Sequence, residues 1–86
     1  MVNSDPIIIY TRNDPPCEWC RKTKRLLKYY GVQFEEIVIG EDIKRSEFME
    51  KYPEIYSVPA VFFGERYIGG YEDLTKKIWT LPVGEK

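Results

Sequence analysis

Two cysteines stand in the run Cys17-Glu18-Trp19-Cys20, and the chain contains no histidine. Without imidazole there is no His-based acid–base catalysis, no Ser-His-Asp triad and no His-ligated metal. Sulfur chemistry is what remains. At this spacing two sulfurs meet within one helical turn, so one thiolate can attack a disulfide while the other resolves the mixed disulfide. Two blander uses of the pair stand beside that one. A structural disulfide closing so short a loop adds little by chain entropy. Half of a zinc site needs two more ligands, here carboxylates or groups from a second chain.

The flanking segments decide what the pair can do. Ile7 to Thr11 is a β-branched, nearly continuous apolar run, which suits a strand buried on both faces. Arg12-Asn13-Asp14-Pro15-Pro16 is a turn cluster leading to Cys17. From Glu18 the period is helical, with Trp19, Thr23, Leu26, Leu27 and Tyr30 on one face and Gly31 at the cap. Arg21, Lys22, Lys24, Arg25 and Lys28 occupy the other face. Cys17 therefore sits at a helix N-terminus, where free amides and the macrodipole favour a thiolate; Cys20 lies one turn deeper and less exposed. The attacking role goes to Cys17 and the resolving role to Cys20.

Further along, Phe34 to Ile39 reads as a second strand. Ile43 to Tyr52 reads as a weaker helix with Ile43, Phe48 and Tyr52 inward, closed by Pro53. Ala60 to Phe63 and Arg66 to Ile68 form a hairpin about Gly64-Glu65. Tyr71 to Trp79 is a last helix with Leu74 and Ile78 inward, and Pro82 bars its extension. The order β-α-β-α-β-β-α predicts a parallel, right-handed first unit and an antiparallel closing hairpin. The expected fold is α/β and thioredoxin-like: a mixed four-stranded sheet flanked by three helices.

Eighty-six residues, 43% hydrophobic and 15% aromatic, are expected to form one folded domain over 1–86. Thirteen basic residues against fourteen acidic ones argue against a chain-wide nucleic-acid binder. The balance is uneven locally. Residues 1–34 hold six basic and three acidic side chains, whereas residues 35–54 hold three and seven. A basic face around Cys17 suits anionic ligands and acidic partner surfaces. The longest apolar runs are too short to span a bilayer, and Met1 to Pro6 lacks the marks of a secretory signal. With a CxxC pair, the expectation is a cytoplasmic protein in a reducing compartment, with no membrane partner.

From Ile7 to Ile78 the chain resembles the glutaredoxins. Ile9-Tyr10-Thr11-Arg12 is similar to that family's opening strand and basic end, and Cys17 to Cys20 to its redox motif. Lys24-Arg25-Leu26-Leu27 resembles its first helix, and Gly31 to Glu35 the start of its second strand. Ser57-Val58-Pro59 stands where the family usually has Thr-Val-Pro, and Ile68 to Leu74 matches its glycine-pair motif.

The resemblance implies a glutathione-dependent dithiol–disulfide oxidoreductase with Cys17 and Cys20 catalytic. Glutathione is the reductant and no metal is expected. Partners are disulfide-bearing or glutathionylated proteins, ribonucleotide reductase among them, and the chain acts as a monomer. Pro59 is implied to be a cis-proline facing the cysteines. Beside Ser57, Val58 would pair its backbone with glutathione's cysteine unit. Gly70, Tyr71, Glu72 and Asp73 would receive the γ-glutamyl end, and Arg12 the glycine carboxylate.

The departures are specific. The family commonly has Cys-Pro-Tyr-Cys, and here the middle pair is Glu18-Trp19. Trp19 stands for tyrosine as an aromatic wall or belongs to the core. Glu18 disfavours a neighbouring thiolate, which leads to an expected Cys17 pKa above the family's usual range and a more reducing couple. The longer segment Asn13 to Pro16 leaves Arg12 and Arg21 as alternative carboxylate partners. Two other functions stay open. One is a thioredoxin-like donor to ribonucleotide reductase recharged by a flavoprotein reductase. The other is a glutathione-ligated iron–sulfur carrier, against which Cys20 and the bulky Glu18-Trp19 pair argue.

Overall fold

Strand β1, Ile7–Arg12, is the spine of the molecule. It pairs in parallel with β2, Glu35–Ile39, and antiparallel with β3, Ala60–Phe63. The fourth strand, β4, Arg66–Gly69, runs antiparallel to β3, giving the sheet order β2-β1-β3-β4. The computed structural model describes residues 6–78. Within them lie three helices: α1 (Glu18–Tyr29), α2 (Arg45–Lys51) and α3 (Tyr71–Lys77). The expected element order and mixed sheet are both present. Trp79 and Pro82, read as the end of the last helix, lie outside the described residues.

Alternation along β1 splits the core in two, because successive side chains point to opposite faces. Ile7 and Ile9 join Leu27, Val32, Val61, Leu74 and Ile78 under α1 and α3. Tyr10 joins Phe48, Ala60 and Phe62, with Ile43 and Tyr52 against them, under α2. The near-continuous apolar run of β1 follows from its place between two layers. Tyr10 sits within a ring cluster, its centroid 4.9 Å from Phe48 and 5.6 Å from Phe62. Burial there, reinforced by Tyr52, pushes the Tyr10 hydroxyl up to about 12.

Helix α1 ends as the sequence dictates. Gly31 takes φ 72, which a residue with a Cβ adopts reluctantly. Its amide donates to Lys28 O at 3.1 Å, and Val32 N donates to Leu27 O at 2.9 Å. This double closure satisfies the last helical carbonyls and tucks Val32 against Leu27. The buried stripe of α1 differs from the periodic expectation. It runs through Cys20, Thr23 and Leu27, while Trp19 and Tyr30 are exposed. Cys20 occupies the inward position, which rotates the stripe and turns Trp19 out.

Strand β2 begins at Glu35 rather than Phe34, and α2 starts at Arg45, with Ile43 making a lone bridge to Ile39. Glu47 Oε1 accepts from Lys44 N at 3.2 Å, satisfying an amide at the start of α2.

Candidate functional site

The loop from β1 to α1 delivers both sulfurs to one corner. Cys17 is the N-cap of α1, in extended geometry (φ −124°, ψ 104°), and its Sγ accepts from Cys20 N at 3.1 Å. An N-cap must answer free amides of the first turn, and a sulfur does so here in place of the usual oxygen. Cys17 and Cys20 are joined as a disulfide, their Cα atoms 5.3 Å apart. Cys17 is 7% exposed and Cys20 2%, the order expected from their places in the helix.

Opposite the sulfurs is the turn into β3. The Val58–Pro59 peptide bond is cis, as the resemblance implied. The carbonyl oxygen of Val58 lies 4.0 Å from Cys17 Sγ. Pro59 is buried, Val58 half-buried and Ser57 exposed. Pro59 also borders the start of α3: a Cβ added at Gly70 would meet the Pro59 carbonyl oxygen at 3.5 Å. Thus the Val58–Pro59 turn lies against Cys17 on one side and the start of α3 at Gly70 on the other.

Trp19 completes the corner. It is 51% exposed, and its ring centroid lies 5.3 Å from that of Tyr71, the first residue of α3. The ammonium of Lys22 stands 4.6 Å from the same indole. Of the two places open to Trp19, the core is the one it does not occupy. Glu72 and Asp73 are exposed on the first turn of α3, and Asp73 lies over Gly69. Burial, with the Asp73 carboxylate nearby, raises the Tyr67 hydroxyl above its ordinary value.

Arg12 ends β1 and is half-buried; its Nε donates to Pro15 O at 2.9 Å, within its own loop. Asp14–Pro15 is a second cis bond, which no sequence signal announced. The longer loop also reaches the far edge of the sheet, where Asn13 Nδ2 donates to Glu41 Oε2 at 3.0 Å. Arg21 is exposed on α1.

One polar group behind the site escaped the sequence reading. Buried Thr11 donates to Glu36 Oε2 at 2.7 Å, and Lys24 Nζ reaches the same oxygen at 3.0 Å. Burial alone pushes the Glu36 carboxyl up, but the Thr11 hydroxyl and Lys24 ammonium outweigh it and leave the carboxyl below its ordinary value. By its helical period Lys24 belongs to the basic face of α1. Helical spacing cannot tell which lysine finds a partner on a strand brought close only by the crossover.

Among the described residues no group of three or more Cys, Asp or Glu is arranged to hold a metal ion. Nor is any described helix long and apolar enough to cross a membrane.

A family model described as glutaredoxin matches residues 7–68. The glutaredoxin of Pseudomonas aeruginosa is 37% identical over 70 residues, 80% of each chain. Hybrid peroxiredoxin hyPrx5 of Haemophilus influenzae is 39% identical over 72 residues, which are 84% of this chain and 29% of that protein. Among solved structures, glutaredoxin 1 from Francisella tularensis, complexed with cacodylate, superposes with a TM-score of 0.73. It is 27% identical, with 87% of this chain and 93% of that chain covered. The buckwheat glutaredoxin–glutathione complex shares the fold at a TM-score of 0.69 and 21% identity, over 88% of this chain and 70% of that one.

Proposed function

Because the chain belongs to the glutaredoxin family, a family of thiol–disulfide oxidoreductases, we propose that it reduces protein disulfides and glutathione mixed disulfides with glutathione as electron donor. The observation that carries this reading is the placement of Cys17 Sγ, bonded to the Cys20 amide and facing the Val58 carbonyl. A thiolate at that position is stabilised by a first-turn amide without any general base.

The reaction balances as four successive thiol–disulfide exchanges, two that reduce the substrate and two that restore the dithiol. The Cys17 thiolate attacks a substrate disulfide; one substrate sulfur leaves as thiolate and a Cys17 mixed disulfide forms. Cys20, as thiolate, then attacks Cys17 Sγ, releasing the second substrate sulfur and closing the Cys17–Cys20 disulfide. One glutathione thiolate opens that disulfide at Cys17, and a second removes the glutathionyl group as oxidised glutathione. Each turnover moves two electrons from two glutathione molecules to the substrate. On a glutathionylated substrate Cys17 alone suffices, because its mixed disulfide is already with glutathione.

Glutathione lies, in this reading, along the corner just described. Ser57 and Val58 offer backbone to its cysteine unit as a short added strand. The Gly70–Tyr71–Glu72–Asp73 turn receives the γ-glutamyl end, its acidic side chains suiting the ammonium. Arg12 receives the glycine carboxylate through its terminal nitrogens, since only Nε is engaged with Pro15. Trp19 forms the wall beside the sulfurs. The protein works in the cytoplasm, where glutathione is kept reduced.

The test is a glutathione- and glutathione-reductase-coupled assay on the wild type, Cys17→Ser and Cys20→Ser. Cys17→Ser is expected to lose all turnover. Cys20→Ser is expected to keep reduction of glutathionylated substrates and to lose reduction of protein disulfides. Turnover supported by thioredoxin reductase and not by glutathione would replace this reading with the thioredoxin-like donor. The match to a hybrid peroxiredoxin favours a thiol peroxidase among the protein substrates, which peroxide consumption would detect once a peroxiredoxin and peroxide are added to the coupled assay.

A further inference from the structure

Helix α1 carries five cations, Arg21, Lys22, Lys24, Arg25 and Lys28, against one acid, Glu18. Two of the five are occupied: Lys24 with Glu36, and Lys22 over the Trp19 ring. Arg21, Arg25 and Lys28 are exposed and, among the described residues, their side chains have no hydrogen bond or ion pair. Spacings of four and three place them in one stripe, about 10 Å long, running away from the disulfide. Like charges at these spacings disfavour a helix. Lys28 has a local reason to be there, because a cation in the last turn complements the helix dipole. Arg21 and Arg25 have none.

We propose that this stripe docks an acidic segment of the protein substrate, beside the cysteine being reduced. The proposal rests on the oxidoreductase reading above and names the kind of partner. Charge complementarity selects the occupant: the stripe is uncompensated, and it begins four residues past Cys17. A nucleic acid fits poorly, because the stripe spans only two turns and residues 35–54 carry seven acidic side chains against three basic.

The geometry also sets where the acids belong. Glu18 heads the same helix and repels an acid placed directly against the target cysteine. Arg25 and Lys28 lie about 12–17 Å along the axis from Cys17, the reach of roughly four or five extended residues.

The experiment compares two single-cysteine peptides, each as its glutathione mixed disulfide. One carries aspartates at the fourth and fifth residues from the cysteine, the other asparagines. The small mixed disulfide of 2-mercaptoethanol and glutathione is the control. At about 20 mM salt the wild type is expected to favour the acidic peptide by about fivefold in kcat/KM, and to lose that preference near 0.3 M. Arg25→Glu/Lys28→Glu is expected to abolish or invert the preference while leaving the control unchanged. Arg25→Gln/Lys28→Gln, milder towards folding, is expected to halve it at least. Equal wild-type rates on the two peptides, or a preference that survives both double variants, would overturn the proposal. No turnover of the control would instead overturn the oxidoreductase reading. Docking is then judged by fluorescence anisotropy of the labelled peptides, where the same fivefold preference is expected and its absence is fatal. Tighter binding of a single-stranded oligonucleotide than of the acidic peptide would also overturn it.

Discussion

Trp19 and Tyr71 meet with their ring centroids 5.3 Å apart, so the helix bearing both sulfurs touches the first residue of the helix across the site. The sheet alone does not join them, since β1 leads to one helix and β4 to the other. An aromatic pair of this kind contributes about 0.5–1.5 kcal/mol beyond its buried area. Trp19 is still half exposed, so it is not a core residue, and the role proposed for it is a wall beside the sulfurs. Trp19→Ala is therefore expected to raise KM for glutathionylated peptides by about three- to tenfold with kcat within about twofold. Trp19→Tyr should restore most of the loss. Steady-state kinetics check both, and an unchanged KM in the alanine variant would remove Trp19 from the site.

Glu18 follows Cys17 directly and is exposed on the first turn of α1. Its carboxylate suits the helix dipole, as does a thiolate at Cys17, so the two negative groups compete for one field. A unit charge about 6 Å away in water changes the ionisation of a neighbour by under 1 kcal/mol, or roughly threefold in thiolate population. In a Cys20→Ser background, Glu18→Gln is expected to speed alkylation of Cys17 by iodoacetamide about threefold at mildly acidic pH. High salt should shrink the gap between the two proteins. Equal rates at low salt would mean that the Cys20 amide, and not Glu18, governs the thiolate.

Much of this corner was legible in the sequence because its signals are local. A β-branched run, a proline-rich turn and a helical period place Cys17 at a helix start from residues 7 to 28 alone. The inward face of α1 was only partly legible. Trp19 fits a helical stripe with Thr23 and Leu27, yet Cys20 takes the buried position and turns the indole outward. The candidate site residues drawn from distant segments, Val58, Pro59 and Gly70, were reached by family resemblance. Spacing says nothing about which loops converge. The Thr11–Glu36–Lys24 group was invisible for the same reason, since it joins β1, β2 and α1 only once the crossover has formed.

That group gives the fold a pH dependence. Burial raises the Glu36 carboxyl, but Thr11 and Lys24 more than offset it, so its folded pKa lies below the ordinary value of about 4.3 in the unfolded chain. A depressed carboxylate contributes stability that is fully present above the unfolded pKa and is lost as pH falls through the folded one. The difference in urea-unfolding stability between wild type and Glu36→Gln should therefore be largest at neutral pH. It should shrink steadily as pH falls from about 5 towards 3. Lys24→Met should be more destabilising at neutral pH than at pH 3, because it leaves a partly buried carboxylate with only Thr11. A wild-type advantage that is constant across that range would show that Glu36 titrates as an ordinary surface acid.

Gly69 closes β4 at φ 132, a conformation that side chains rarely adopt, and it pairs with Val61 where the β3–β4 register shifts. A Cβ there would stand 2.6 Å from the Asp73 Cβ, so an added methyl meets both backbone strain and the first turn of α3. The two effects act on different observables. Backbone strain lowers stability by about 1–3 kcal/mol, read as a lower urea midpoint. Displacement of Asp73 weakens the place assigned to the γ-glutamyl end, read as a higher KM for glutathione. Gly69→Ala is expected to do both, whereas Asp73→Asn, which keeps the glycine, is expected to raise KM with little loss of stability. If Asp73→Asn leaves KM untouched while Gly69→Ala raises it, the glycine positions Gly70 and Tyr71 rather than Asp73. The acidic side chain would then have no part in holding glutathione.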